Sequence, residues 1–419
     1  MPVHSVRWHP DGRLLLVGHD RGLAVGIPAG LFAMDAATGE TRRLLPAFDR
    51  SIGCDPGSDQ SGPPGDAGPL VTEDGSILCI ATDAGNAGVY SCREGEDLPH
   101  ALICGDPFVI RSFDATADGR TIAYVATTPT CPPALFIWDG ARSNLIFDPN
   151  TGICAGIEAS PAERLVFQAR DGTPIEGWVM KPAGFEEGSR YPLVMEIHGG
   201  PHSQYGNAFF HEFQCLCAKG FGVFYCNPRG SIGYGLQFAQ AIKGDWCGID
   251  ASDLEDGAGF AGSLSWVDPS RLGVTGGSQG GYFTNWLISH TQAFKAAVTQ
   301  RSMSNLYSKY GTADNGVTHD KVGMGGADLW TDEELLMERS PVRYAPNVRT
   351  PLLIIHSEAD YRCPIEQAEQ WYSALKRLGK AEVEFVRFAG ENHELSRSGK
   401  PSNRVERLRR IVGWFEKRL

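Results

Sequence analysis

"RLGVTGGSQGGYFTNWLISH", residues 271–290, sets a single serine, Ser278, between two pairs of glycines. Leu272, Val274 and Thr275 form a short, partly β-branched run bounded by glycine, which predicts a buried strand. Phe283, Trp286 and Leu287 then recur at i, i+3 and i+4, one face of a helix. Ser278 therefore falls at a strand-to-helix turn. Gly276-Gly277-Ser278-Gln279-Gly280 fits G-x-S-x-G, in which a sharp turn forces the serine into strained dihedrals and presents its oxygen above the sheet. Glycines two residues to either side remove the Cβ atoms that would collide as strand and helix close. A tight turn with an incidental serine has the same pattern, so the partners decide.

From about residue 160 the chain alternates strand and helix. Strands are predicted at "ERLVF", "IEGWVM", "PLVMEIHGG", "GFGVFYCN", "RLGVTGG", "AFKAAVTQ", "PLLIIHS" and "AEVEFVRFAG". Helices are predicted near 207–219, 251–263, 281–290, 365–378 and 403–418. This is an α/β pattern, a mostly parallel sheet with helices on both faces. Open sheets of this kind place their sites at strand ends. Asp360 follows "PLLIIHS" and His393 follows "EVEFVRF", giving the chain order nucleophile, acid, histidine of an α/β-hydrolase. His393 takes the Ser278 proton only if a carboxylate holds its other ring nitrogen. Asp360 is the preferred carboxylate. Glu358 lies nearer the strand end and Glu391 and Glu394 flank the histidine, while Asp360 could instead cap the helix near Ile365. Oxyanion donors are expected from the backbone of Gln279 and of the loop Gly199-Gly200, after a strand expected beside the nucleophile strand.

Before residue 155 the chain has a different character. "HPDGRLLLVGH", "TEDGSILCIATD" and "TADGRTIAYVATT" are three similar units, each an Asp-Gly turn followed by a strand. The turns at 11–12, 74–75 and 118–119 are 63 and 44 residues apart, and the longer interval holds the insert "CDPGSDQSGPPGDAGP". Short strands repeating every ~40–50 residues suggest propeller blades. Three blades cannot close a ring, so open edges that invite pairing with a neighbour are expected. The predicted domains are a partial β-propeller, 1–157, and an α/β-hydrolase catalytic domain, 158–419.

The 419 residues allow two domains, and 42% hydrophobic with 21% charged residues is ordinary for a globular protein. A net charge of −12 without a basic block argues against nucleic acid as partner. The start lacks a signal-like apolar segment, and no apolar run approaches the ~18 residues that span a bilayer, so no membrane partner is expected. Eleven scattered cysteines read as reduced thiols of a cytoplasmic protein. His198, His202 and His211 form no metal-binding pattern, so neither metal nor cofactor is expected. In the basic terminal run, Val405, Leu408, Val412 and Phe415 define the expected buried face of a docked helix.

"HGGPHSQYG", "NPRGSIGYG", "GDWCGIDASDLED", "GGSQGGY", "HSEADYRCPIEQAEQ" and "GENHELSRSGKP" occur in that order. Over residues ~160–419 the chain resembles the catalytic domain of the prolyl oligopeptidase family of serine peptidases, nearest its acylaminoacyl-peptidase-like branch. The resemblance implies a serine peptidase acting on short peptides, with Ser278, Asp360 and His393 as triad and the backbone N–H groups of Gly200 and Gln279 as oxyanion hole. By the same analogy Tyr307, Tyr310 and Met324 are candidates for the substrate pocket. Many relatives carry Tyr at the position of Gln279, which implies a packing change only. Relatives also carry a complete propeller that screens out large substrates, which puts size selection in question here. Two other functions remain open: an esterase or lipase on the same fold, and a non-catalytic protein whose β repeats bind a partner.

Overall fold

The computed structural model describes residues 1–60 and 67–419; part of the glycine- and proline-rich insert, 61–66, lies outside the described residues. The chain groups into two compact units. One comprises 1–159 with the later segments 203–210 and 231–240, and the other comprises 160–202, 211–230 and 241–419.

The first unit is built of short antiparallel strands. Val3–Trp8 (β1), Leu14–Gly18 (β2), Gly30–Met34 (β3) and Thr41–Leu44 (β4) pair in sequence order as one sheet. A second sheet contains Ser51–Ile52 (β5), Leu70–Val71 (β6), Ile77–Asp83 (β7), Asn86–Cys92 (β8) and His100–Ile103 (β9). Val109–Ala115 (β10), Ile122–Thr128 (β11), Cys131–Trp138 (β12) and Ser143–Phe147 (β13) continue it. Within it β6 to β9 and β10 to β13 are two antiparallel meanders, joined by one parallel pairing of Ala87 with Val109. These two meanders and the first sheet, β1 to β4, each have the same turn after their first strand. The glycine N–H of Gly12, Gly75 and Gly119 donates three residues back, to His9, Thr72 and Thr116. The preceding aspartate accepts from the residue after the glycine, and all three glycines have positive φ. Period-two alternation then fixes the packing. Ile77, Cys79 and Ala81 of β7 join Leu15, Val17, Leu31 and Ala33 in one core, while Leu78 and Ile80 join Val109, Phe113 and Ile122 in the next.

Segments 203–210 and 231–240 are bonded into this unit far from their sequence neighbours. Asn207 Nδ2 donates to Asn86 Oδ1 at 2.7 Å and to Asp106 Oδ1 at 2.8 Å. Gln204 Nε2 donates to the Ala84 carbonyl, whose own N–H donates to Gly233.

The second unit holds one eight-stranded sheet: Ala162–Gln168 (β14), Pro174–Met180 (β15), Tyr191–Ile197 (β16), Gly222–Cys226 (β17), Val267–Gly277 (β18), Ala296–Gln300 (β19), Leu352–Ser357 (β20) and Val383–Phe388 (β21). The order is β14-β15-β17-β16-β18-β19-β20-β21, antiparallel through β15 and parallel from β17 onward. The glycine-loop strand β16 lies directly beside the nucleophile strand β18, as expected. Parallel strands covered on both faces read as continuous apolar runs, and Val194, Val223, Val274, Val298 and Ile354 are all fully buried. Helices His211–Cys217 and Pro401–Glu416 pack on each other, and Ile249–Gly262 packs against Gln279–His290.

The terminal helix departs from expectation in its buried face. Val405 is 66% exposed, whereas Arg407, Ile411, Trp414 and Phe415 are buried. The face turns because Arg407 enters the interior as an ion, pairing with Glu212 and donating to Gln300 Oε1 at 2.7 Å. Among the described residues no helix is long and apolar enough to cross a membrane.

Candidate active site

Ser278 sits between the end of β18 and the first turn of the helix Gln279–His290, with φ 61° and ψ −123°. Such a backbone is costly for a residue with a Cβ and persists only where its surroundings over-determine it. Two bonds do so here: the Ser278 N–H donates to the Gln300 carbonyl, and its carbonyl accepts from Tyr282 N–H, both at 2.9 Å. The glycines explain the rest. A Cβ at Gly280 would lie 2.0 Å from the Ile197 carbonyl oxygen, and one at Gly276 would lie 2.6 Å from the Gly280 backbone. Strand and helix meet at a separation that only hydrogen permits.

His393, in the loop after β21, places Nε2 3.0 Å from Ser278 Oγ and Nδ1 2.7 Å from Asp360 Oδ2. With Nδ1 donating to the Asp360 carboxylate, Nε2 is left to accept from the serine. Asp360 is 2% exposed, and its other oxygen accepts the N–H groups of Arg362 and Cys363 at 3.0 and 2.8 Å. The carboxylate thus organises its own loop instead of capping the helix Glu366–Leu378. The rival carboxylates have other partners. Glu358 pairs with Arg387, Glu394 with Arg397, and Glu391 accepts from Lys400 N and Asn403 Nδ2. Burial pushes the His393 pKa below the ordinary histidine value, opposed by the hydrogen bond to Asp360. That shift extends the neutral, proton-accepting form of the imidazole to lower pH than in an exposed histidine.

The loop after β16 runs alongside the serine. A Cβ at Gly199 would lie 3.2 Å from Ser278 Cβ, and the Gly199 carbonyl accepts from His198 Nδ1 at 2.7 Å. Gly200 follows with φ +130°, and Gln279 is the first residue of the nucleophile helix, where backbone N–H groups lack intrahelical acceptors. The three pocket candidates lie apart from this relay in character. Met324 and Tyr310 are buried, Tyr310 Oη donating to Asp328 Oδ2 at 3.1 Å, and Tyr307 is 36% exposed. No group of three or more His, Cys, Asp or Glu suited to a metal occurs among the described residues. His198 and His202 are each pushed down to about 4 by burial and bond to backbone carbonyls.

Sequence reasoning missed three residues behind the relay. His356, buried at the end of β20, donates from Nε2 to the Cys363 carbonyl at 2.7 Å, and the same nitrogen lies 3.6 Å from Asp360 Oδ2. Arg301 follows β19 and reaches Ser396 Oγ at 2.6 Å, three residues beyond His393. Only the i, i+4 spacing of His356 and Asp360 hinted at the first; nothing local marks the other two.

A model described as the prolyl oligopeptidase family matches residues 207–419. The chain is 43% identical over 355 residues to a Bacillus subtilis protein named uncharacterized peptidase YuxL, covering 84% of this chain and 53% of that one. It is 28% identical over 338 residues to the acylamino-acid-releasing enzyme of Arabidopsis thaliana, covering 73% of this chain and 44% of that one. Acylaminoacyl peptidase of Pyrococcus horikoshii superimposes with a TM-score of 0.85 at 30% identity, over 97% of this chain and 61% of that one. The chain spans about half the length of the curated relatives it matches. With the family model covering half of the chain, from strand β17 through the turn at Ser278 to the loops that bear Asp360 and His393, this chain belongs to the prolyl oligopeptidase family.

Proposed function

We propose that the chain is a serine peptidase that hydrolyses short peptides, of acylaminoacyl-peptidase or oligopeptidase type, through an acyl-enzyme. The Ser278–His393–Asp360 relay is the observation that carries this reading. Ser278 Oγ attacks the scissile carbonyl carbon as its proton passes to His393 Nε2, and the carbonyl electron pair moves to oxygen. The N–H groups of Gly200 and Gln279 receive that oxyanion. Collapse expels the amine, which takes the proton from His393, and leaves the acyl group on Ser278. Water then attacks in the same manner, releasing the acid and restoring the serine. Asp360 holds the imidazole tautomer and stabilises the imidazolium without itself being protonated.

The names of relatives support N-acylated peptides as substrates: several are acylamino-acid-releasing enzymes, and one neighbour at 31% identity is described in complex with Z-Gly-Gly-Phe-chloromethyl ketone. Tyr307, Tyr310 and Met324 are assigned to the substrate pocket on family analogy. We read the first unit as three blades of a partial propeller whose edges pair with a second copy. Outer strand β13 supports this, with Leu145, Ile146 and Phe147 all more than half exposed. Eleven free thiols favour a reducing cytoplasm. The test compares an N-acetylated amino-acid anilide, an unblocked dipeptide anilide and simple alkyl esters as substrates. Preference in kcat/KM for the acylated anilide supports the reading. Turnover of esters alone would make the protein an esterase on this fold.

A further inference from the structure

The carbonyl that holds Ser278 in place belongs to Gln300, and the next residue, Arg301, has φ +39°. That backbone turns the side chain back under the nucleophile. A methyl group built on Gly277 would lie 2.8 Å from both Cζ and Nη2 of Arg301, so the guanidinium occupies the space that Gly277 leaves empty. Its backbone N–H donates to the Ile355 carbonyl at 2.9 Å, at the end of the strand that leads to Asp360. Nη1 donates to Ser396 Oγ at 2.6 Å, in the segment that follows His393. One residue thus touches the supports of all three triad members. Its Nε is buried without an acceptor, and among the described residues Arg301 forms no ion pair. A cation enclosed this far with no carboxylate paired to it directly is costly, and a surface ion-pairing role does not explain it.

We propose that Arg301 is a positioning residue for the triad, clamping the His393 segment to the nucleophile turn and standing as a fixed positive charge behind the imidazole. This rests on the serine-peptidase reading above. The guanidinium stays protonated, since burial and the like charges of Arg397 and Arg407, opposed less strongly by Glu394 and Glu212, lower its pKa only to about 10. His393 is faced by Asp360 from the loop after β20, by Arg301 after β19, and by Arg397 from its own segment. Glu394 lies beside it, and Asp314 also senses its charge. Asp360 favours the imidazolium; Arg301 and Arg397 oppose it. Removing the Arg301 charge should therefore raise the His393 pKa and move the acid limb of kcat/KM to higher pH.

The test uses the full chain, with concentrations set by active-site titration so that only correctly folded sites count. Arg301→Gln is expected to lower kcat at least about tenfold and to shift the acid limb upward by about half a unit to one unit. Arg301→Lys keeps the charge but loses the fork, so it should lower kcat with little shift. Ser396→Ala should do the same, since it removes the tether and leaves the charge. An Arg301→Gln protein with wild-type kcat and an unmoved acid limb would overturn the proposal. So would equal limb shifts in all three variants, because Ser396→Ala removes no charge. A folded wild type that neither titrates nor turns over any substrate would overturn the serine-peptidase reading and this proposal with it. An active wild type with indifferent Arg301 variants would overturn this proposal alone.

Discussion

At Ser278 the chemistry depends on one hydroxyl held at positive φ, so its removal separates catalysis from folding. Ser278→Ala should lose about 10⁴–10⁶ in kcat while the melting temperature stays within about 2 °C of wild type, a shift equivalent to ~1 kcal/mol or less. Differential scanning calorimetry beside a peptide anilide assay checks both. Asp360→Asn should cost up to ~10⁴ by favouring the wrong imidazole tautomer, whereas Glu358→Gln, whose carboxylate pairs with Arg387 at the surface, should cost little. Reversal of that order would move the acid to Glu358. The pH profile carries a sign as well. Activity needs neutral His393, and burial lowers its pKa, so kcat/KM should rise with pH through a midpoint below the ordinary value of about 6.5. A midpoint above that value in wild type would mean Asp360 outweighs burial and Arg301 together.

Among the elements, the helix Ile249–Gly262 and the terminal helix bring ionisable groups indoors, with opposite consequences. Asp250, in the first turn of the former, is 1% exposed, and one carboxyl oxygen finds no partner among the described residues. Burial, with Asp245 and Asp253 nearby, raises its pKa from 3.8 to about 8. The folded state therefore holds a proton that the unfolded state releases, and stability declines as pH rises between those two values. Asp250→Asn should flatten that decline, so that thermal melts of the variant exceed wild type near pH 8 and match it near pH 4. Glu212 and Arg407 are a different case, paired with each other and joined through Gln300, whose backbone carbonyl holds Ser278. Glu212→Ala should cost about 3–5 kcal/mol by leaving Arg407 uncompensated, read by urea unfolding. The same pair explains why the face of the terminal helix was illegible in sequence: an arginine counts as outward until its partner, 195 residues away, is known. The nucleophile turn was legible for the converse reason, because its glycines record steric conflicts within a few residues and with the adjacent strand. Arg301 left no local trace and His356 only its i, i+4 spacing from Asp360; their meaning comes from what the fold buries beside them.

For the whole molecule, the succession of strands and helices after residue 160 and the loops bearing Asp360 and His393 followed from alternating apolar runs, while of the order within the sheet only the pairing of β16 with β18 did. The membership of segments 203–210 and 231–240 did not, since the hydrogen-bonding partners of Asn207 stand 101 and 121 residues away. The same scale holds the prediction about assembly. Strand β13 is an uncharged edge, Ser143-Asn144-Leu145-Ile146-Phe147, with Ile146 54% and Phe147 60% exposed. Edges of this kind pair unless a charge blocks them. Size-exclusion chromatography with light scattering should find the chain self-associated and Ile146→Lys shifted toward monomer; a monomeric wild type would remove the open-edge reading. The proposed activity depends on the activation of Ser278 as a nucleophile by His393 and Asp360. Treatment of the wild type and of His393→Ala with a fluorophosphonate, followed by peptide mapping, tests it most directly. Rapid phosphonylation confined to Ser278, lost in His393→Ala, is the predicted result; a folded wild type that stays unlabelled, or is labelled elsewhere, would contradict it.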